Sequence, residues 1–170
     1  MTHEDEFIFI GLGANLPSPH GPPRASLKVA LGALAAKGVK VVACSRLYRS
    51  RPLPPSHQPW YVNGVAAVET ALPPEALLAV LEAMERDFGR RREARRWAPR
   101  PLDLDLLSYR GMLRDGHPPP ELPHPRLHER AFVLLPLADL APDWRHPRLG
   151  LSVAEMIARL GDRQGVEPLD

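Results

Sequence analysis

Residues 102–107 read Leu-Asp-Leu-Asp-Leu-Leu, and this alternation decides how the chain is interpreted. A β-strand directs successive side chains to opposite faces, so Asp103 and Asp105 would share one face, about 6–7 Å apart along the strand. The alternating leucines would share the other face and enter the core. The hexapeptide therefore predicts a strand with two neighbouring carboxylates on its polar side.

The carboxylate pair has two interpretations. Two carboxylates this close repel each other and are costly to desolvate. A cation bound between them would offset both costs. Mg²⁺ suits such a pair because it binds one or two carboxylates together with phosphate oxygens and water. The alternative is a strand whose polar face simply meets solvent, although aspartate is depleted in strands. The spacing alone leaves both interpretations open.

An arginine-rich segment directly precedes the pair. Residues 85–100 hold seven arginines and three acidic residues, a local excess of four positive charges. Guanidinium groups bind phosphate bidentately and stay charged, so arginines beside a cation site favour phosphoryl transfer. A solvated charge run and a nucleic-acid surface are the alternatives. Trp97 could stack on a base, but a single aromatic residue gives that second alternative little support.

Hydrophobic patterns on either side predict the order β-α-β-β-α-β. The predicted strands are 7–10, 39–48, 61–70 and 102–108, and the first helix is 25–37. A second helix opens at 73–75 and carries an apolar stripe at Leu77, Leu78, Leu81, Met84 and Phe88. A third helix spans 127–140 with Pro136 interrupting it, and Ser152 caps a fourth, with Glu155 as its capping-box partner. Irregular loops are expected at 17–23, 52–59 and 109–123. The order predicts an α+β, ferredoxin-like fold: an antiparallel sheet with helices on both faces and extra C-terminal helices.

Composition narrows the class of protein. A chain of 170 residues with 44% hydrophobic content is expected to form a single domain over 1–170. The net charge of +2 argues against a DNA-coating protein, and the apolar runs are too short to span a bilayer. The acidic N-terminus does not suit a signal peptide, so a cytoplasmic location is expected. The single cysteine, Cys44, rules out an internal disulfide framework and is expected to be a small buried residue.

Two further motifs have competing interpretations. The stretch 11–16, Gly-Leu-Gly-Ala-Asn-Leu, begins like a dinucleotide fingerprint but has leucine in place of the third glycine, so its glycines are expected to form a tight strand exit. His124 and His128 are four residues apart and could bind a transition metal on a helix. Pro125 disfavours a regular helix there, and phosphate contacts by His124 and Arg130 are the preferred interpretation.

Together these pieces resemble the 6-hydroxymethyl-7,8-dihydropterin pyrophosphokinase family of the folate pathway. The resemblance runs from about Phe7 to Asp143, and its most specific part is Arg-Trp-Ala-Pro-Arg-Pro-Leu-Asp-Leu-Asp-Leu-Leu at 96–107. The other matching motifs are Gly-Leu-Gly-Ala-Asn-Leu at 11–16, Tyr-Arg-Ser-Arg-Pro-Leu at 48–53, Gln-Pro-Trp-Tyr-Val-Asn at 58–63, Gly-Arg-Arg-Arg at 89–92 and His-Pro-Arg-Leu-His-Glu-Arg-Ala-Phe at 124–132.

The resemblance implies transfer of pyrophosphate from ATP to the hydroxymethyl group of a reduced pterin, with release of AMP. It implies that Asp103 and Asp105 hold two Mg²⁺ ions and that Arg90 and Arg100 act with them on the phosphates. ATP and 6-hydroxymethyl-7,8-dihydropterin are the implied partners. A monomer is expected, with no nucleic acid and no membrane partner.

The resemblance also assigns the surrounding positions. Residues implied to contact ATP are Glu82, Glu85, Arg92, Arg96, Trp97, His124 and Arg130. Residues implied to bind the pterin are Ser50, Leu53, Tyr61, Asn63 and Phe132, with the two aromatic rings stacked on the pterin and the asparagine amide bonded to its edge. No function is assigned to the tail after about Pro147.

Overall fold

The computed structural model describes residues 7–52, 54–90 and 98–169. Its strands are β1 (Ile8–Ala14), β2 (Val39–Cys44), β3 (Tyr48–Ser50), β4 (Tyr61–Thr70), β5 (Asp103–Tyr109), β6 (Arg114–Asp115), β7 (Glu121–Leu122) and β8 (Glu167–Pro168). Its α-helices are α1 (Pro23–Ala35), α2 (Pro74–Asp87), α3 (Ala131–Leu140) and α4 (Val153–Leu160).

The larger sheet has the strand order β5-β1-β4-β3-β8, and β2 also pairs with β4. All of these pairs are antiparallel, which confirms the predicted antiparallel sheet. Strands β6 and β7 form a separate two-stranded ladder within the excursion predicted after β5. Because β1 lies between β4 and β5, residues from three different parts of the chain meet on one surface of the sheet.

Helices cover both faces of the sheet. On one face, α1 and α2 pack with Ile8, Ile10 and Leu104 into the larger core cluster. On the other face, α3 and α4 pack with Phe9 and Val65. The alternation of side chains along β1 thus supplies both cores from a single strand.

Strand β1 extends beyond the apolar run at 7–10 from which it was predicted. Gly11 and Gly13 remain within the strand and pair with β4 on one side and β5 on the other. The expectation that these glycines form a tight strand exit is therefore wrong. They are extended residues without a side chain at the centre of the sheet.

The predicted strand 39–48 is two strands. Between β2 and β3, the Ser45 hydroxyl accepts a hydrogen bond from the Val65 amide at 3.0 Å, and the Ser45 amide donates to the Val65 carbonyl at 2.9 Å. A serine side chain thus replaces a backbone group in the ladder, and the strand path breaks.

Cys44, at the end of β2, is exposed, so the expectation that it is buried is wrong. The reason is that, within the described ranges, β2 pairs with β4 alone, which leaves this end of the strand at the surface.

The third predicted helix begins later than expected. Residues Leu127–Glu129 form a 3₁₀ turn, Arg130 leaves helical geometry with φ −116° and ψ 110°, and α3 starts at Ala131 and contains Pro136. The predicted capping box of α4 is confirmed, because Ser152 and Glu155 bond to each other's backbone amides. Among the helices of the described ranges, none is long and apolar enough to cross a membrane.

Candidate active site

A cavity on the sheet is lined by residues of β5 and β1. Asp103 and Asp105 pair in register with Gly13 and Gly11, so each carboxylate lies beside a residue that has no side chain. The two carboxylates remain 32% and 31% exposed, while Leu104 on the opposite face is buried. The predicted alternation is confirmed. Both glycines line the same cavity as the two carboxylates, and its volume is about 920 Å³.

Asp103 belongs to a chain of charged contacts that includes Glu85 and Arg90. Arg90 Nη1 lies 2.6 Å from Glu85 Oε2 and 3.4 Å from Asp103 Oδ1. Glu85 Oε2 also accepts a hydrogen bond from the Leu104 amide at 2.9 Å. Burial, with repulsion from Asp103, raises the pKa of Glu85 to about 8. Glu85 therefore ties helix α2 to strand β5 and aligns Arg90 with the carboxylate.

Asp105 faces the other end of the cavity. Arg130 Nη1 lies 3.8 Å from Asp105 Oδ2, and its guanidinium carbon lies 5.4 Å from the centre of the Phe132 ring. Burial and repulsion from Asp103 raise the pKa of Asp105 to about 7, although Arg130 and Arg90 oppose the shift. The shift has the direction expected for two carboxylates that lie close together and repel each other.

His124 is a neutral cavity residue. Burial and the nearby Arg130 lower its pKa to about 4. Its Nδ1 accepts a hydrogen bond from the Arg126 amide at 3.1 Å, so the neutral ring carries its proton on Nε2. His128 instead packs edge-on against His146, with ring centres 5.9 Å apart. In the described ranges no group of three or more His, Cys, Asp or Glu side chains could hold a metal, so the transition-metal alternative gains no third ligand.

The cavity is also lined by an amide and aromatic pocket. The Ser50 hydroxyl donates to Asn63 Oδ1 at 2.5 Å, which fixes the orientation of a buried amide. Burial and the charge of Asp103 raise the pKa of Tyr61 to about 12, so the phenol stays neutral. Phe132 lines the same space. A fixed amide beside aromatic rings suits a flat heterocycle with hydrogen-bonding edges.

Most of the site residues expected from the sequence line this cavity. Of the sixteen, twelve line it: Ser50, Tyr61, Asn63, Glu82, Glu85, Arg90, Arg100, Asp103, Asp105, His124, Arg130 and Phe132. The other four expected residues, Leu53, Arg92, Arg96 and Trp97, lie outside the described residues. Every expected site residue that the structure describes therefore borders a single space.

Asn15 is a supporting residue that the sequence reasoning missed. Its side chain is 1% exposed and accepts a hydrogen bond from the Arg100 amide at 2.7 Å. The same side chain donates to Gln58 Oε1 at 3.1 Å and to the Pro59 carbonyl at 3.2 Å. Asn15 thus joins the end of β1 to two loops of the cavity wall. The only signal for it was its place in the motif at 11–16.

Other cavity residues were also missed. Those not assigned from the sequence include Gln58, Arg126, Asp162 and Gln164. The last two belong to the tail after α4, where no motif was found. Only the folded chain brings this segment back to the cavity.

Sequence comparisons relate this chain to a known protein family. Residues 9–142 match the family model described as 7,8-dihydro-6-hydroxymethylpterin-pyrophosphokinase. A 2-amino-4-hydroxy-6-hydroxymethyldihydropteridine pyrophosphokinase of Pseudomonas aeruginosa is 45% identical over 152 residues, covering 89% of this chain and 90% of that protein. One of Methylorubrum extorquens is 42% identical over 164 residues, covering 95% and 98%.

Longer proteins also contain a region similar to this chain. Folic acid synthesis protein fol1 of Pneumocystis carinii is 36% identical over 159 residues, and the match covers 94% of this chain but 21% of that protein. The crystal structure of Plasmodium falciparum HPPK-DHPS with pteroate matches with a TM-score of 0.71 at 12% identity, over 90% of this chain and 44% of that one. At that identity the match supports the fold alone.

Proposed function

Because the chain belongs to the 7,8-dihydro-6-hydroxymethylpterin-pyrophosphokinase family, we propose that it transfers the pyrophosphoryl group of ATP to 6-hydroxymethyl-7,8-dihydropterin and releases AMP. This is the pyrophosphokinase step of folate biosynthesis. The observation that carries the proposal is one cavity holding both an acidic pair among arginines and a pocket for a flat heterocycle. The hydroxymethyl oxygen would attack the β-phosphorus, and the bond from that phosphorus to the oxygen of the α-phosphate would break.

Asp103 and Asp105 are the residues that would hold Mg²⁺, and two ions are expected. The donor set fits, because it consists of hard carboxylate oxygens beside open space for phosphate oxygens and water. The raised pKa of Asp105 also fits, since a bound cation would relieve the repulsion between the two carboxylates. Bound Mg²⁺ would neutralise charge on the phosphate oxygens.

Three arginines are positioned to bind the phosphates. Arg90 and Arg100 lie 3.4 and 3.9 Å from Asp103 Oδ1, and Arg130 lies 3.8 Å from Asp105 Oδ2. Guanidinium groups fixed around the acidic pair can contact phosphate oxygens without a large rearrangement of charge. His124, neutral with its proton on Nε2, would add a hydrogen-bond donor.

The pterin would occupy the amide and aromatic pocket. The Ser50 hydroxyl holds the Asn63 carbonyl oxygen, so the amide can present a defined edge to the ring. Tyr61 and Phe132 would stack on the pterin faces and exclude water from the hydroxymethyl group. The remaining assignments stay predictions: Leu53 on the pterin side, and Glu82, Arg92, Arg96 and Trp97 on the ATP side.

The molecule as a whole is proposed to be a single ferredoxin-like domain over residues 1–170, acting as a cytoplasmic monomer. The strand order β5-β1-β4 followed by β2 and β3 supports the ferredoxin-like part of this proposal, because the first strand then lies between the last and the third predicted strands.

An assay of the nucleotide product tests the proposed function. Purified protein is incubated with ATP, Mg²⁺ and 6-hydroxymethyl-7,8-dihydropterin, and nucleotides are separated by chromatography. AMP is expected to form in proportion to the pyrophosphorylated pterin, and only when the pterin and Mg²⁺ are both present. Release of ADP, or no turnover with both present, would contradict the proposal.

A further inference from the structure

The tail after α4 returns to the cavity and is anchored there. Strand β8 pairs with β3, and the Leu169 amide donates to the Leu47 carbonyl at 3.0 Å. Val166 is buried in a small cluster with Tyr48 and Ala131. The tail is therefore fixed between the sheet and the start of α3, where Arg130 and Phe132 are assigned to the site.

Gln164 uses both ends of its amide at the start of α3. Its Oε1 accepts a hydrogen bond from the Ala131 amide at 3.0 Å, and its Nε2 donates to the Glu129 carbonyl at 3.0 Å. These two backbone groups lie on either side of Arg130. The side chain of Gln164 thus bridges the junction between the 3₁₀ turn and the helix.

Arg130 is the residue at which the 3₁₀ turn passes into α3: its carbonyl accepts hydrogen bonds from the Val133 and Leu134 amides at 3.0 Å, so its helix side is anchored and its turn side is weaker. Its backbone is extended, its side chain makes no capping bond to α3, and its amide reaches the Leu127 carbonyl only at 3.4 Å. A helix start leaves its first amides without partners inside the helix. Gln164 supplies one such partner from 33 residues away along the chain.

The conformation of Gln164 is itself unusual. It has φ 53°, in the left-handed region that a residue with a side chain rarely adopts. Its amide donates to Asp162 Oδ1 at 2.9 Å, and the Val166 amide bonds to the Arg163 carbonyl at 2.9 Å. A tight turn therefore holds the residue in a strained conformation that aims its side chain at the junction.

We propose that Gln164 is a positioning residue, which holds Arg130 in the orientation that the phosphate-binding end of the cavity requires. The inference rests on the proposed function, because Arg130 is assigned to ATP there. Arg130 lies 3.8 Å from Asp105 and packs over Phe132, so a rotation of its backbone would move the guanidinium away from both.

A double-mutant cycle tests this role. Gln164→Met keeps the length and volume of the side chain but removes both hydrogen bonds, and it is compared with Arg130→Ala and with the double variant. In the native background Gln164→Met is expected to lower kcat/KM for ATP about tenfold, since both hydrogen bonds that hold the backbone on either side of Arg130 are lost. In the Arg130→Ala background the same change is expected to have less than about a twofold effect, since residues that act through one another are not additive.

Two further measurements separate positioning from a general loss of structure. Glu167→Gln removes the ion pair of the tail with Arg49 and should leave kcat/KM for ATP unchanged. Thermal unfolding of each variant shows whether it is folded at the assay temperature.

Hydrogen exchange at the Ala131 amide gives a readout that does not depend on activity. Exchange is expected to be faster in Gln164→Met than in the native protein. Equal exchange rates, or equal effects of Gln164→Met with and without Arg130, would overturn the positioning role. A native protein that releases no AMP would contradict the proposed function, while the exchange result would still decide whether Gln164 holds the junction.

Discussion

The position of Asp105 lowers the stability of the folded protein but favours the binding of a cation. Burial and Asp103 raise its pKa to about 7, so the charged form of this carboxylate is disfavoured in the folded state when no cation is bound. For an acid with a raised pKa, the folded state binds protons more readily than the unfolded chain. Stability is therefore lost as the pH rises from about 4 through about 7, where the carboxylate must ionise.

Asp105→Asn is expected to separate these two effects. In protein freed of divalent metal at pH 8, the neutral amide should raise Tm by about 3 °C, because the buried charge and its repulsion are removed. The same variant should reduce AMP formation at least about 100-fold, since a metal ligand is lost. Calorimetry and the nucleotide assay measure the two changes.

The control for this pair of measurements is Asp143→Asn, an aspartate on an exposed turn. It should leave both Tm and AMP formation near the native values. A drop in the Tm of Asp105→Asn at pH 8, or native activity in that variant, would contradict the assignment of the pair.

At the scale of elements, strand β1 contributes to the site through Gly13, a residue without a side chain. A Cβ added at Gly13 would lie 3.1 Å from Asn63 Nδ2, closer than ordinary contact. The antiparallel pairing of β1 with β4 thus leaves room for glycine, but not for a larger residue, beside the Asn63 amide that is assigned to the pterin.

Gly13→Ala is therefore expected to displace the Asn63 amide and raise KM for the pterin about tenfold, with a smaller effect on KM for ATP. Steady-state kinetics with each substrate varied in turn measures the two constants. Gly32→Ala is the matched control. It lies in α1 with no atom within 4 Å of the added carbon, and it should leave both constants unchanged while stabilising the helix by about 0.5–1 kcal/mol. An equal rise in both KM values would contradict the local effect.

At the scale of the whole molecule, a buried histidine links stability to pH. Burial, with the charges of His128 and Arg148, lowers the pKa of His146 to about 4. Its Nδ1 accepts from the Arg148 and Leu149 amides at 3.2 and 3.1 Å, a role that protonation removes. The unfolded chain binds this proton at about pH 6.5, so stability is complete above that pH and is lost as the pH falls towards 4.

His146→Asn is expected to reduce this pH dependence, because an amide oxygen can accept the same backbone bonds without binding a proton. Between pH 7 and pH 4.5 the Tm of the variant should fall less than that of the native protein. His124, whose pKa is also lowered to about 4, should keep part of the slope. His57→Asn, at an exposed position, should leave the native slope unchanged, and an unchanged slope in His146→Asn would contradict the prediction.

Much of the fold follows from local sequence. The alternation at 102–107, the apolar stripe of α2 and the capping box of α4 each act over a few residues, so their patterns predict the elements directly. The break between β2 and β3 did not follow, because it depends on a bond between Ser45 and Val65, which are 20 residues apart. The exposure of Cys44 depends on which strand edges the sheet leaves unpaired.

The sequence by itself determined the chemical content of the site: the acidic pair, the arginines and the family motifs that surround them. Only the tertiary structure decided what supports that content, namely the Asn15 bridge, the Glu85 link between α2 and β5, and the return of Gln164 to Arg130. The physical reason is one of range. Residue types and spacings carry chemistry within a segment, whereas these supports are hydrogen bonds between segments 19 to 85 residues apart, and no local pattern encodes them.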